Sequence, residues 1–311
     1  MSSEEDLGPV PVRLPLDEDL VRRLVAAQFP GWADLEIRRV AEQGWDNRTF
    51  HLGPAMSVRL PSAEPYALAV QKEQRWLPVL APRLPLPIPV PLGHGSPTEE
   101  YPHPWSVYGW LPGQPADRSL ITDLRRFAAE LARFLLALQS VDTDGGPGPG
   151  VHNWFRGGPL IRFVGLVDDS LPALPDQSGA DQLRRLWRCA LDAGPSGSPV
   201  WFHGDIAAGN LLVKDGELAA VIDFGTCGVG DPACDLAIAW TLLDSESRPV
   251  FLQALGADPA LIARARGWVL WKAVSGIAAD VADGVEPRVD ALYALDQLLT
   301  ETDSVRADSE V

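Results

Sequence analysis

The sequence predicts a two-lobed α+β fold, with a small strand-rich amino-terminal lobe and a larger helical carboxy-terminal lobe. Three observations predict it. Short apolar runs bounded by Gly, Pro, Asn and Asp dominate the first hundred or so residues. Beyond residue 112, apolar residues recur at helical spacing. One strong hairpin signal, Asp215-Gly216 between alternating apolar runs, interrupts the helical half. A chain of 311 residues, 46% hydrophobic and 22% charged, is long and apolar enough to bury a core in each lobe.

The elements follow in order. Residues 1–16 are polar and proline-bearing and read as a loose leader. Asp17 can cap a helix that runs to about residue 29, where Pro30-Gly31 stops it. Strands are expected at 35–40, 49–52 and 56–60, then a helix over 66–80 that carries Glu73. Residues 82–91 alternate proline with Leu, Ile and Val, and read as an extended connector because proline cannot donate to a ladder. A strand over 105–111 ends at Pro112-Gly113, which divides the chain into lobes at 1–111 and 112–311, with a cleft at the junction. Leu124, Phe127, Leu131, Phe134, Leu135 and Leu138 trace the buried stripe of one helix. The run 144–150 has the glycines of a phosphate-cradling loop, but its prolines lack the N–H groups, so it reads as a linker. Further helices are expected at 181–190, 232–243, 259–277 and 286–300, with a frayed charged tail from 301.

A net charge of −16 opposes a nucleic-acid partner and an anionic membrane. It can steer a cationic acceptor, and serves solubility equally well. Cys189, Cys227 and Cys234 show no C-x-x-C spacing and imply no disulfide framework, which fits a cytoplasmic protein. The five histidines make no zinc pattern. The first twenty residues lack the basic and apolar regions of a signal peptide, and no apolar run reaches the ~18 residues of a membrane span.

The chemistry concentrates between Trp201 and Asp235. If Asp215-Gly216 is a two-residue turn, Lys214 pairs with Glu217 and Asn210 faces Val221. Asp223 then lies on the same face as Val221, about 7–8 Å diagonally from Asn210. One oxygen from each can grip a small hard cation, and Mg²⁺ usually takes one or two protein ligands plus substrate phosphates. Asp205 ends the preceding apolar run at the mouth of that site.

D-x-x-x-x-N followed by a hairpin and D-F-G is also the arrangement of protein kinases. His203-Gly204-Asp205-Ile206-Ala207-Ala208-Gly209-Asn210 and Val221-Ile222-Asp223-Phe224-Gly225 resemble the catalytic and metal-binding motifs of the aminoglycoside phosphotransferase family. Gly230-Asp231-Pro232 and Asp235 resemble the element that follows them. The resemblance implies a protein-kinase-like fold in which residues 1–111 bind ATP or GTP. Asp205 is then the catalytic base, and Asn210 and Asp223 bind Mg²⁺. His203, Asp231 and Asp235 give structural support, and the acceptor is a hydroxylated small molecule.

The same resemblance places a nucleotide-positioning loop at 43–50, including Asn47, and a hinge strand at 106–111, including Tyr108 and Trp110. It requires a lysine for the α/β-phosphates, yet lysine occurs only at 72, 214 and 272, and Arg59 stands in that slot with Glu73 as its partner. Arginine keeps the charge and grips phosphate bidentately, but is not equivalent. That departure motivates the alternative of a non-catalytic nucleotide-binding protein. Residues 154–158 are candidates to line the acceptor pocket. Asp168, Asp169, Asp280, Asp283 and Glu286 are candidates to receive an amino sugar, or form a solvated face.

Overall fold

A computed structural model describes residues 11–41, 43–195 and 197–309. Residues 1–10 of the expected leader lie outside them. Helix α1 (Glu18–Gln28) starts where Asp17 Oδ1 accepts the Leu20 N–H at 2.8 Å, and ends before Pro30. Five strands follow, β1 (Ile37–Arg39), β2 (Asn47–Leu52), β3 (Met56–Pro61), β4 (Pro91–Gly95) and β5 (Trp105–Gly109). They form one antiparallel sheet in the order β1-β2-β3-β5-β4. Val58 and Leu60 of β3 join α1 in a small core, so the alternate residue Arg59 points to the other face.

Helix α2 (Glu64–Leu80) sends Trp76, Leu77 and Leu80 into the larger core of the helical lobe. The expected connector at 82–91 departs from prediction at both ends. Ala81–Arg83 make a 3₁₀ turn, and Pro91 opens β4 at the sheet edge, where a missing N–H costs no ladder bond.

Past Pro112-Gly113 come β6 (Gln114–Pro115), α3 (Leu124–Gln139), α4 (Val164–Ser170), α5 (Ala180–Asp192) and β7 (Val200–Phe202). The hairpin β8 (Leu211–Lys214) and β9 (Glu217–Val221) turns at Asp215 and Gly216, both at positive φ as a type I′ turn requires. Then follow β10 (Gly228–Gly230), α6 (Ile238–Thr241), α7 (Ser247–Ala254), α8 (Pro259–Ala282) and α9 (Val289–Ser309). The short helices α4 and α7 were not expected, and the region expected as one helix over 232–243 is a 3₁₀ turn (Pro232–Ala237) leading into α6. Helix α9 continues to Ser309 through the tail expected to fray. Helix α8 packs against α4, α5 and α9, which explains why its apolar residues encircle it instead of forming one stripe. Among the described residues, no helix is long and apolar enough to cross a membrane.

Candidate active site in the cleft

Asp205 follows β7 in a loop held from beneath. Asp235, fully buried on the 3₁₀ turn, accepts the His203 N–H on Oδ2 at 2.8 Å and the Gly204 N–H on Oδ1 at 2.6 Å. Burial pushes its carboxyl up to about 7, against the pull of those two donors. The Asp205 N–H reaches His203 Nδ1 at 3.2 Å, so Nδ1 is the acceptor and Nε2 carries the proton toward Ile222 O at 3.0 Å. Burial lowers the His203 pKa, which keeps that neutral tautomer. Asp231 does other work: it caps the 3₁₀ turn at the Ala233 N–H and accepts Arg264 Nε at 2.7 Å.

Asn210 Nδ2 donates to Asp205 O at 2.9 Å and to Asp205 Oδ2 at 3.0 Å. The other carboxylate oxygen, Oδ1, holds Lys272 Nζ of α8 at 2.6 Å. Burial alone would raise the Asp205 pKa, but the charges of Lys272 and Arg156 bring it down to about 2. Asp205 is therefore ionised at neutral pH.

The hairpin register differs from the expected one. Lys214 does face Glu217, but Leu211 faces Val221 because a bulge at Ala219 shifts the ladder by one. Asn210 is thus opposite Ile222, whose N–H donates to Asn210 O at 2.8 Å, and both candidate metal ligands lie just outside the strands. Asp223 has φ 65°, a left-handed conformation that aspartate tolerates better than most side chains. Its Oδ1 accepts Arg59 Nη2 at 3.0 Å.

Arg59 Nη1 lies 3.8 Å from Glu73 Oε1, and Glu73 Oε2 accepts the Tyr108 hydroxyl at 3.0 Å. Tyr108 is consequently buried, and its side chain supports this ion pair instead of facing a nucleotide. The Trp110 N–H goes to Ala55 O at 2.8 Å and its ring packs at a tilt against His51, so main-chain recognition of a base here has to use other groups of 109–111. Asn47 opens β2 opposite Pro61.

Sequence reasoning gives no role to Lys72 or Lys272, and names Asp46 only within the loop 43–50 and Arg156 only within 154–158. Lys72, beside Glu73 on α2, is buried and donates to Gly225 O at 2.7 Å and Cys227 O at 2.9 Å, fixing the segment after Asp223. Asp46 has its carboxyl raised to about 6 by burial and by the negative charges of Asp223 and Asp205. Arg156 donates from Nε to Gly204 O at 3.1 Å and stacks 4.5 Å from the Trp271 ring. Trp154 and Phe155, both at positive φ, make the turn that delivers it, a conformation costing roughly 1–3 kcal/mol per residue. Lys272 had one available signal, the scarcity of lysine in the chain.

A cavity of about 240 Å³ opens beside Asp205, walled by Trp268, Trp271, Lys272, Arg156 and Arg288. Of residues 154–158 it takes only Arg156. None of the five acidic candidates for an amino sugar lines it, and Asp280 is bound twice by the Arg288 side chain, at 2.8 and 2.6 Å. A larger cavity of about 530 Å³, lined by Gly157 and Gly158, has Asp231 and Arg264 paired with each other.

The donor set suits Mg²⁺. With Nδ2 turned to Asp205, Asn210 keeps its amide oxygen for a cation, and Asp223 adds a hard carboxylate oxygen.

A profile of the phosphotransferase enzyme family matches residues 36–268. Aminoglycoside 3'-phosphotransferase of Escherichia coli is 41% identical over 60 residues, covering 19% of this chain and 22% of that protein. Viomycin phosphotransferase of Streptomyces vinaceus is 29% identical over 157 residues, covering 48% and 54%. The matches thus span about half or less of these curated relatives. Among solved structures, the GDP and kanamycin complex of APH(2")-IIIa superposes with a TM-score of 0.71 at 20% identity, over 92% of this chain and 99% of that one. Macrolide 2'-phosphotransferase MphH from Brachybacterium faecium gives 0.58 at 24% identity, over 90% and 98%. The kinase-like fold is shared.

Proposed function

The chain belongs to the phosphotransferase enzyme family, and from that premise we propose that it moves the γ-phosphate of ATP or GTP onto a hydroxyl of an aminoglycoside-like or other hydroxylated small molecule. One observation carries the reading: an ionised carboxylate, Asp205, stands at the rim of a cavity with Asn210 tied to its other oxygen and Asp223 held across the cleft by Arg59.

The acceptor hydroxyl enters from the cavity and donates to Asp205, which takes its proton as the hydroxyl oxygen bonds to the γ-phosphorus. The bond from that phosphorus to the bridging oxygen breaks, and the nucleoside diphosphate leaves. Asn210 orients Asp205 through Nδ2. Asn210 and Asp223 would hold Mg²⁺, which supplies charge neutralisation for the phosphate oxygens. Arg59, backed by Glu73, and the loop with Asn47 serve the nucleotide, in a lobe that ends at residue 111. His203 and Asp235 keep the loop in place. The reaction belongs in the cytoplasm, where nucleoside triphosphates are made and Cys189, Cys227 and Cys234 stay thiols.

A purely nucleotide-binding protein would have no use for an ionised Asp205 facing an acceptor cavity. Asp205→Asn is expected to lower kcat by about 10²–10⁴-fold, with nucleotide affinity unchanged by calorimetry. Asp223→Ala is expected to abolish magnesium-dependent nucleotide binding. Normal turnover by Asp205→Asn on an acceptor the parent enzyme phosphorylates would sink the assignment.

A further inference from the structure

Although the chain carries 42 acidic against 26 basic residues, the cavity beside Asp205 reverses that balance. Three cations line it, Arg156, Lys272 and Arg288, against Asp205 and Asp290. The two carboxylates are not equally available. Asp205 must accept the reacting hydroxyl, and Asp290, at the start of α9, accepts the Ala291 N–H at 2.9 Å. Asp280, which does not line the cavity, is occupied by Arg288.

The cations differ in the opposite way. Lys272 Nζ sits 2.6 Å from Asp205 Oδ1, the place a hydroxyl donor needs. When the hydroxyl takes Asp205, the half-exposed ammonium is released, free to hold another anion close by. Arg156 Nη1 is buried with no hydrogen-bond partner among the described residues. The Trp268 and Trp271 rings, at 88° to one another, add an apolar, angled wall. At about 240 Å³ the cavity is below the roughly 300–1,000 Å³ of sites for drug-sized ligands, so it admits one ring-sized portion of a molecule.

We propose that the acceptor is a hydroxylated compound bearing a carboxylate or similar anion near the reacting hydroxyl, received by Lys272, and not a polyamine sugar. The inference rests on the phosphotransferase reading above and narrows its acceptor. Lys272 is then a specificity residue with two partners: Asp205 Oδ1, and the acceptor's anion once the hydroxyl has taken that oxygen. A polycation would meet Lys272 and Arg156, Arg288 being paired with Asp280, and would have to compete with Lys272 for Asp205.

Three probes with one aromatic aglycone separate charge from shape: para-nitrophenyl glucuronide, glucoside and glucosaminide. The expected order of kcat/KM is glucuronide, glucoside, glucosaminide, with the first exceeding the last by at least about fivefold, the scale of one partly screened ion pair. In Lys272→Met that ratio is expected to fall to about one, and in Lys272→Glu to invert. If turnover is too slow to measure, dissociation constants by calorimetry with magnesium and a non-hydrolysable ATP analogue must show the same order. A smaller ratio, absence of binding by all three, a ratio that survives Lys272→Met, or an equal loss for all three probes in that variant would overturn the proposal. The last result would put Lys272 on the transferred phosphate. Nucleotide binding without acceptor, run in parallel, tells the two failures apart. If it is intact and dependent on Asp223, only the acceptor class is wrong; if it is lacking, the phosphotransferase reading fails as well.

Discussion

Arg59 occupies the position where the family resemblance calls for lysine, and the structure shows what the larger head group does there. Its fork reaches Asp223 at 3.0 Å and approaches Glu73 at 3.8 Å, so one side chain spans from the sheet to both α2 and the segment proposed to bind metal. A lysine offers a compact point charge and cannot make both contacts in the same plane. Arg59→Lys is therefore expected to raise the nucleotide KM about tenfold, the loss of one charge-assisted hydrogen bond of about 1.5 kcal/mol, while the melting temperature stays within about 3 °C. An unchanged KM would mean that Arg59 serves the apo protein alone.

At the scale of elements, the loop proposed to carry the catalytic Asp205 depends on one backbone conformation. Gly204 has φ +89°, and a Cβ there would lie 2.6 Å from Thr226 O. Any side chain pushes this loop off the segment after Asp223 and disturbs both N–H bonds to Asp235. Gly204→Ala is expected to destabilise the protein by about 1–3 kcal/mol and to cut turnover. Gly165→Ala, in α4 with nothing within 4 Å of the added carbon, is the control and should leave stability equal or slightly higher. Differential scanning calorimetry of the two variants checks this, and equal melting temperatures would refute the strain argument. The same loop explains why the hairpin bulge matters. It places Asn210 beyond β8, free to turn its amide to Asp205.

Across the whole molecule, the cleft is crossed by polar links as well as by packing. Lys72 of α2 grips Gly225 and Cys227 of the helical lobe, and Arg59 grips Asp223. Trp76, Leu77 and Leu80 carry α2 into the larger core. A nucleotide bound with metal at this seam stabilises both sides together. At a hundred times its dissociation constant, ATP with magnesium should add about 2.7 kcal/mol and raise the melting temperature by a few degrees. Chelation of the metal, or Asp223→Ala, should remove most of the gain. A shift of the same size in the chelator would argue against a metal between Asn210 and Asp223.

What the sequence by itself determined is local in character. Asp17 caps α1, the Leu and Phe stripe makes α3, Asp215-Gly216 makes the turn, and the order His203, Asp205, Asn210, Asp223 marks the candidate site. Capping, periodicity and turn chemistry act between residues a few positions apart, so they can be read along the chain. Tertiary structure alone decided that Lys272 meets Asp205 and that Arg59 meets Asp223, pairs separated by 67 and 164 residues. It also decided that Tyr108 turns inward to Glu73 and that the cavity is lined by cations in an acidic protein. Those outcomes depend on how α8 and α9 fold back over the catalytic loop and how β3 faces the hairpin, and no short-range rule encodes where two distant side chains come to rest.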